Sequence, residues 1–162
     1  MGSIILVDKN QQTFVIDGQQ RLTSLTLLLI YIYRKFGDND QKQNLLNLIY
    51  SDTFGEKNFN LNIDDRTECL EKLMNEGAYE TKEDDNESVK NLVDRYEDIE
   101  NNFSEKLTNV LPLFADWLKE KVFFVEITAQ NDQDAYNIFE KIAAHNPEDR
   151  VTKYYMHWCK VD

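Results

Sequence analysis

Val15-Ile16-Asp17-Gly18-Gln19-Gln20-Arg21-Leu22-Thr23-Ser24-Leu25 passes from strand-like to helix-like patterning. An apolar β-type segment ends in Asp-Gly, two glutamines and an arginine follow, and a leucine-rich run begins. Upstream, residues 3–7 (Ser-Ile-Ile-Leu-Val) read as a buried strand and residues 8–12 as a polar turn. Residues 13–17 then form a second strand, so the chain opens with a hairpin on a five-residue connection. Downstream, a helix is predicted over residues 22–36. Its apolar residues Leu22, Leu25, Leu27, Leu28, Leu29, Ile30 and Ile32 surround nearly the whole circumference, which places it centrally. Gly37 supplies a C′ stop.

Farther along, a second helix is predicted over residues 40–50. Residues 51–63 mix Gly, Asn and aromatics, with a short extended segment at 59–63. Asp65 with Glu68 resembles a capping box for a helix running through Met74, with Leu70, Leu73 and Met74 as its apolar stripe. Residues 76–87 carry six acidic side chains against one lysine and read as a solvated loop. Val89, Leu92, Val93, Tyr96, Ile99 and Phe103 then recur at helical spacing. Residues 111–121 form another helix with Pro112 in its first turn. Residues 122–128 read as a buried strand. Asp132 is expected to cap a helix bearing Ala135, Ile138, Phe139 and Ile142 on one face. The pattern breaks at residues 143–147, and residues 151–162 show no periodicity. The class is α+β, mostly helical, with a small sheet at the N-terminal end.

Composition narrows the function classes. At 162 residues, one domain with a small appendage is expected, with a core large enough to need neither disulfides nor metals. An aromatic content of 12% argues against a disordered chain. The net charge of −12 disfavours non-specific contact with phosphate backbones, so DNA contact is expected only indirectly. Cys69 and Cys159, the two cysteines, give neither a disulfide framework nor zinc spacing, which fits a reducing cytoplasm. The most apolar run, residues 25–33, is far short of the roughly 20 residues a bilayer span needs, and no membrane role is expected.

The chemistry concentrates at the strand–helix junction. Free N–H groups at a helix start point toward an anion there. Gly18, lacking a Cβ, permits positive φ and close approach to a phosphate. Arg21 offers a planar fork of donors, and such charge-assisted bonds are worth about 1.5–3 kcal/mol each. The helix start adds roughly 0.3–1 kcal/mol. Thr23 and Ser24 bring hydroxyl donors. Gln19 and Gln20 can donate to oxygens or hold a water, and Asp17 can hold hydrated Mg²⁺ or orient Arg21. The same residues also fit a plainer account: Asp-Gly is a common turn, Asp17 can cap the helix, and Arg21 can pair with a carboxylate.

Asp17-Gly18-Gln19-Gln20-Arg21, with Gly2-Ser3-Ile4-Ile5-Leu6-Val7 before it and Leu22-Thr23-Ser24-Leu25-Thr26-Leu27-Leu28-Leu29 after it, resembles the DGQQR-motif family. This is the N-terminal domain of modification-dependent (type IV) restriction endonucleases and related phage-defence proteins. Residues 88–99, residues 122–128 and the run Asp134-Ala135-Tyr136-Asn137-Ile138-Phe139-Glu140-Lys141-Ile142 extend the likeness over about residues 2–142. The resemblance implies a fold similar to ParB and sulfiredoxin proteins, where a Gly-x-x-Arg turn before a helix holds nucleotide phosphates; here that turn is Gly18 to Arg21. It implies a nucleoside triphosphate with Mg²⁺ as cofactor and a nuclease domain or subunit of a restriction system as partner. Gly18, Gln19, Gln20, Arg21, Thr23 and Ser24 are the nucleotide-binding candidates. Asp17, Gln20 and Arg21 are the catalytic candidates if the triphosphate is hydrolysed. No nuclease motif or resident metal site is expected in this chain.

The family shows an upstream Ile-Pro-x-Tyr-Gln-Arg-x-Tyr-x-Trp-like segment, and an Asn-x-Arg-Gly run where this chain has Ala143-Ala144-His145-Asn146-Pro147. The expectation is a domain over residues 1–142 truncated at both ends, with a divergent tail over 143–162. Competing readings are a non-enzymatic protein-interaction module and an inactive remnant. His145 and His157 lack metal-ligand spacing. The pairs Asp64/Asp65, Asp84/Asp85 and Asp132/Asp134 suit capping and solvation better than acid–base work. Cys69 is expected to be semi-buried and inert, and Tyr31 and Tyr33 to be packing residues.

Overall fold

The computed structural model describes residues 3–9, 12–37, 40–53, 56–62, 64–145 and 159–161. In chain order the elements are β1 (Ser3–Lys9), β2 (Gln12–Asp17), α1 (Gln19–Lys35), α2 (Asp40–Ile49), β3 (Tyr50–Thr53), β4 (Glu56–Phe59) and β5 (Leu61–Asn62). A 3-10 turn at Asp64–Arg66 leads into α3 (Thr67–Asn75), α4 (Glu87–Asn102), α5 (Glu105–Thr108), α6 (Leu111–Lys121), β6 (Val125–Ala129), α7 (Asp132–His145) and β7 (Cys159–Val161). The fold is α+β, mostly helical with a small mixed sheet, as the patterning predicts. Two compact units divide it: Met1–Gln20 with Phe123–Asp162, and Arg21–Val122.

In the first unit β1 lies between β2, antiparallel, and β6, parallel, and β7 pairs antiparallel with the outer side of β2. The predicted hairpin is therefore present with longer strands, its connecting residues 10–11 lying outside the described residues. Ile5 and Val7 of β1 pack with Ala129 and with the α7 face carrying Ala135, Ile138, Phe139 and Ile142, the face read from sequence. Two expectations are corrected here. The α7 cap is Asn131, whose Oδ1 accepts the Asp134 N–H at 2.9 Å; Asp132 instead pairs with Lys9. The strand predicted buried over residues 122–128 runs Val125–Ala129, and only Ala129 in it is buried. A short apolar run does not reveal whether one face or both will be covered. Here β6 ends the strand order of the sheet, and an edge position leaves Val125 63% exposed.

The second unit is built on α1. Leu27, Leu29, Ile30, Tyr31 and Ile32 are buried, and Leu25, Leu28 and Tyr33 pack half-buried around them, so this helix is enclosed on most sides. The α3 stripe Cys69, Leu70, Leu73 and Met74, the α4 stripe Val89, Leu92, Val93 and Tyr96, and Leu111, Ala115 and Leu118 of α6 complete the core. The Tyr31 ring meets Phe103 at 5.0 Å and Tyr96 edge-on at 6.2 Å, confirming its packing role. Cys69 is 1% exposed, more deeply buried than expected. Burial, followed by the nearby carboxylates Asp85 and Glu68, pushes its thiol up to about 12.

Turn chemistry departs from expectation in three places. The N-cap of α3 is Arg66, with no side-chain cap, because Asp65 is drawn into the preceding 3-10 turn. Gly37 does not take a left-handed φ; the left-handed cap glycine is Gly77 after α3, at φ +81°, donating its N–H to the Leu73 carbonyl. Strands β3 and β4 pair antiparallel, the Tyr50 and Phe59 rings 4.3 Å apart. The acidic stretch is solvent-exposed over residues 80–84. It is pinned by Asp85, which accepts from the Tyr79 hydroxyl at 3.1 Å and the Lys82 N–H at 2.7 Å. Asn86 then caps α4, its Oδ1 accepting from the Val89 N–H.

Candidate functional site

The junction of β2 and α1 is shaped by two backbone irregularities in succession. Leu6 faces Val15, but Ile5 faces Asp17, so Ile16 has no opposite residue in β1. This one-residue bulge bends β2 and raises its twist immediately before the polar motif. Gly18 follows at φ +101°. A Cβ there would lie 3.1 Å from Ile4 Cγ1 and 3.4 Å from Ile4 Cα, so the position needs glycine both for its conformation and for its closeness to β1.

Helix α1 begins at Gln19, three residues earlier than predicted, so Gln19, Gln20 and Arg21 form its first turn. The reason is local. A left-handed glycine reverses the chain at once, and good helix formers follow it directly. The N–H groups of this first turn have no carbonyl one turn earlier within the helix, the arrangement anions favour. No acidic side chain lies in the first turn to compete.

The predicted residues fall out as follows. Gly18 is buried, Gln20 exposed, and Asp17, Gln19, Arg21 and Ser24 half-buried. The Gln19 Nε2 donates to the Val15 carbonyl at 2.9 Å, tying the first helical turn to the bulged strand. Thr23 is buried, and its Oγ1 has no hydrogen-bond partner. A buried hydroxyl without a partner costs about 1–3 kcal/mol. By residue type the turn and the helix after it carry backbone N–H groups, the Arg21 guanidinium and two hydroxyls as donors. Sequence reasoning missed the bulge at Ile16 and the Gln19 bond, since neither leaves a signature in residue type. Among the described residues no group of three or more His, Cys, Asp or Glu side chains could hold a metal ion. His157 lies outside the described residues. Among the described residues no helix is long and apolar enough to cross a membrane.

The model of the family described as the GmrSD restriction endonuclease, N-terminal domain, matches residues 1–145. The chain belongs to this family. The likeness drawn from the DGQQR run and its flanks is thereby borne out. No curated protein matches the chain. In this GmrSD N-terminal family domain the match spans the sheet strands β1, β2 and β6, the motif turn, and all helices of the described residues.

Proposed function

We propose that this domain binds a nucleoside triphosphate with Mg²⁺ at the β2–α1 turn and serves as the regulatory part of a restriction, phage-defence nuclease system. The observation that carries the reading is the buried, left-handed Gly18 placed directly before a helix start with no acidic side chain in its first turn, and with a hydroxyl lacking a partner, Thr23 Oγ1, in its second turn. Backbone N–H groups of Gly18 to Arg21 would receive phosphate oxygens. The Arg21 guanidinium would neutralise charge, Thr23 and Ser24 would donate hydroxyls, and Gln20 would donate its amide. Asp17 would hold the hydrated cation or orient Arg21. Asp17, Gln20 and Arg21 are the residues proposed to act if the triphosphate is hydrolysed. The ParB- and sulfiredoxin-like ancestry of the turn belongs to the same proposal, as does a nuclease domain or subunit as the partner that meets DNA. The net charge of −12 supports indirect DNA contact.

A thermal-shift titration with GTP, UTP, CTP and ATP plus Mg²⁺ tests this. Ligand at 100 times Kd should add about 2.7 kcal/mol of stability, and Arg21→Ala should abolish the shift. A shift that survives the substitution places the nucleotide elsewhere. A second reading, a non-enzymatic protein-interaction module, draws on α6, where Leu113 and Trp117 are 71% and 53% exposed one turn apart. No shift with any nucleotide would favour it.

A further inference from the structure

The two glutamines of the motif are adjacent in sequence and chemically identical, yet the fold treats them differently. Gln20 is exposed, whereas Gln19 is half-buried and spends its amide on the carbonyl of Val15. We infer that Gln19 is a positioning residue, holding the motif turn in shape, and that Gln20 is the glutamine available to ligand. The inference rests on the nucleotide reading for Gln20 alone; the role of Gln19 is a property of the protein without ligand.

The physical reason lies in what the Gln19 bond spans. Ile16 has no opposite residue in β1, so the regular ladder is interrupted there. Gly18, two residues on, sits in a conformation that a flexible residue leaves as readily as it adopts. Between the pair Leu6 with Val15 and the first helical hydrogen bonds there is thus a short segment whose one ladder pair is Ile5 with Asp17, set beyond the bulge. The Gln19 side chain closes that segment by returning from the first helical residue to the carbonyl just before the bulge. The first-turn N–H groups keep one direction only while this loop is closed, and an anion site made of backbone donors depends on their being fixed in advance.

Hydrogen exchange of the full chain without nucleotide separates the two glutamines. Gln19→Met keeps the length of the side chain and removes the donor. It should speed exchange of the residue 18–22 amides roughly two- to ten-fold, the range a single net hydrogen bond gives. Exchange in α4 should stay unchanged. Gln19→Lys, which retains an N–H donor, should restore slow exchange, and Gln20→Met should leave it at the wild-type rate. In the presence of GTP, UTP, CTP or ATP with Mg²⁺, both methionine variants should bind more weakly. Wild-type exchange in Gln19→Met, or acceleration spread equally through α4, overturns the positioning role. Absence of nucleotide binding by the wild-type protein overturns the ligand role of Gln20 and the functional reading, while the exchange comparison still decides Gln19.

Discussion

At the scale of single residues, Gly18 and Thr23 carry opposite expectations. Gly18→Ala forces a Cβ into a left-handed conformation and against Ile4. The substitution should cost about 1–3 kcal/mol, read as a lowered urea midpoint. Thr23→Val replaces a buried hydroxyl lacking a partner with a methyl group of the same shape. Without ligand it should leave stability unchanged or raise it by up to about 1 kcal/mol, while weakening nucleotide binding. A clear loss of stability in Thr23→Val would mean that the hydroxyl is already satisfied inside the protein. Gly18 was legible in sequence because Asp-Gly before a leucine-rich run needs a sharp reversal. The orphaned state of Thr23 was not, because hydrogen-bond satisfaction depends on what surrounds the side chain.

At the scale of elements, the end of α3 provides a self-contained test. Arg34 of α1 donates to the Met74 carbonyl at 3.0 Å and the Glu76 carbonyl at 2.7 Å, covering acceptors that the helix end leaves without intrahelical partners. Gly77 is left-handed beside it, and a Cβ there would land on the guanidinium. Gly77→Ala and Arg34→Ala should each destabilise by about 1–3 kcal/mol. Because the alanine removes the same contact from the other side, their effects should be markedly sub-additive in a double-mutant cycle; additive losses would show that Arg34 is not the cap. Helices α3, α4 and α7 were readable because apolar residues recur at helical spacing along each, α1 from its nearly continuous apolar run, and α6 from Pro112 in its first turn. The caps were not. Asp65 and Asp132 are good capping residues by type, but Arg66 and Asn131 hold those positions, since tertiary pairing such as Lys9 with Asp132 redirects an eligible side chain. Strand β6 was placed correctly in the chain and wrongly in depth, because an apolar run looks alike at an edge and in a centre.

At the scale of the whole molecule, the second unit stores a dependence on alkaline pH. Burial raises Cys69 from 9.0 to about 12, and raises Tyr50 and Tyr96 from 10.0 to about 12. Folded protein therefore keeps protons that the unfolded chain releases above about pH 9, so stability is intact below that and falls as pH rises toward 12. The urea midpoint should be flat from neutrality to about pH 9 and then decline; Cys69→Ser should delay the onset toward about pH 10. A profile that stays flat would contradict the burial of these groups. The neutral thiol should also resist alkylation in native protein at about pH 8, with modification of Cys69 appearing only on unfolding. Class and family were legible from patterning and one motif. Division of the chain into two units was not, since residues 1–20 and 123–162 come together through the pairing of β1 with β6 and of β2 with β7 and through α7 packing on β1. Non-local pairing of that kind leaves no local trace in sequence.

The account stands on phosphate recognition by the turn that joins β2 to α1. Amide resonances of isotope-labelled protein, followed during titration with a nucleoside triphosphate and Mg²⁺, report this directly. The largest shifts should fall on Gly18, Gln19, Gln20, Arg21 and Leu22, saturating together and vanishing in Arg21→Ala. Saturable shifts clustered elsewhere, with these five amides unmoved, would contradict it.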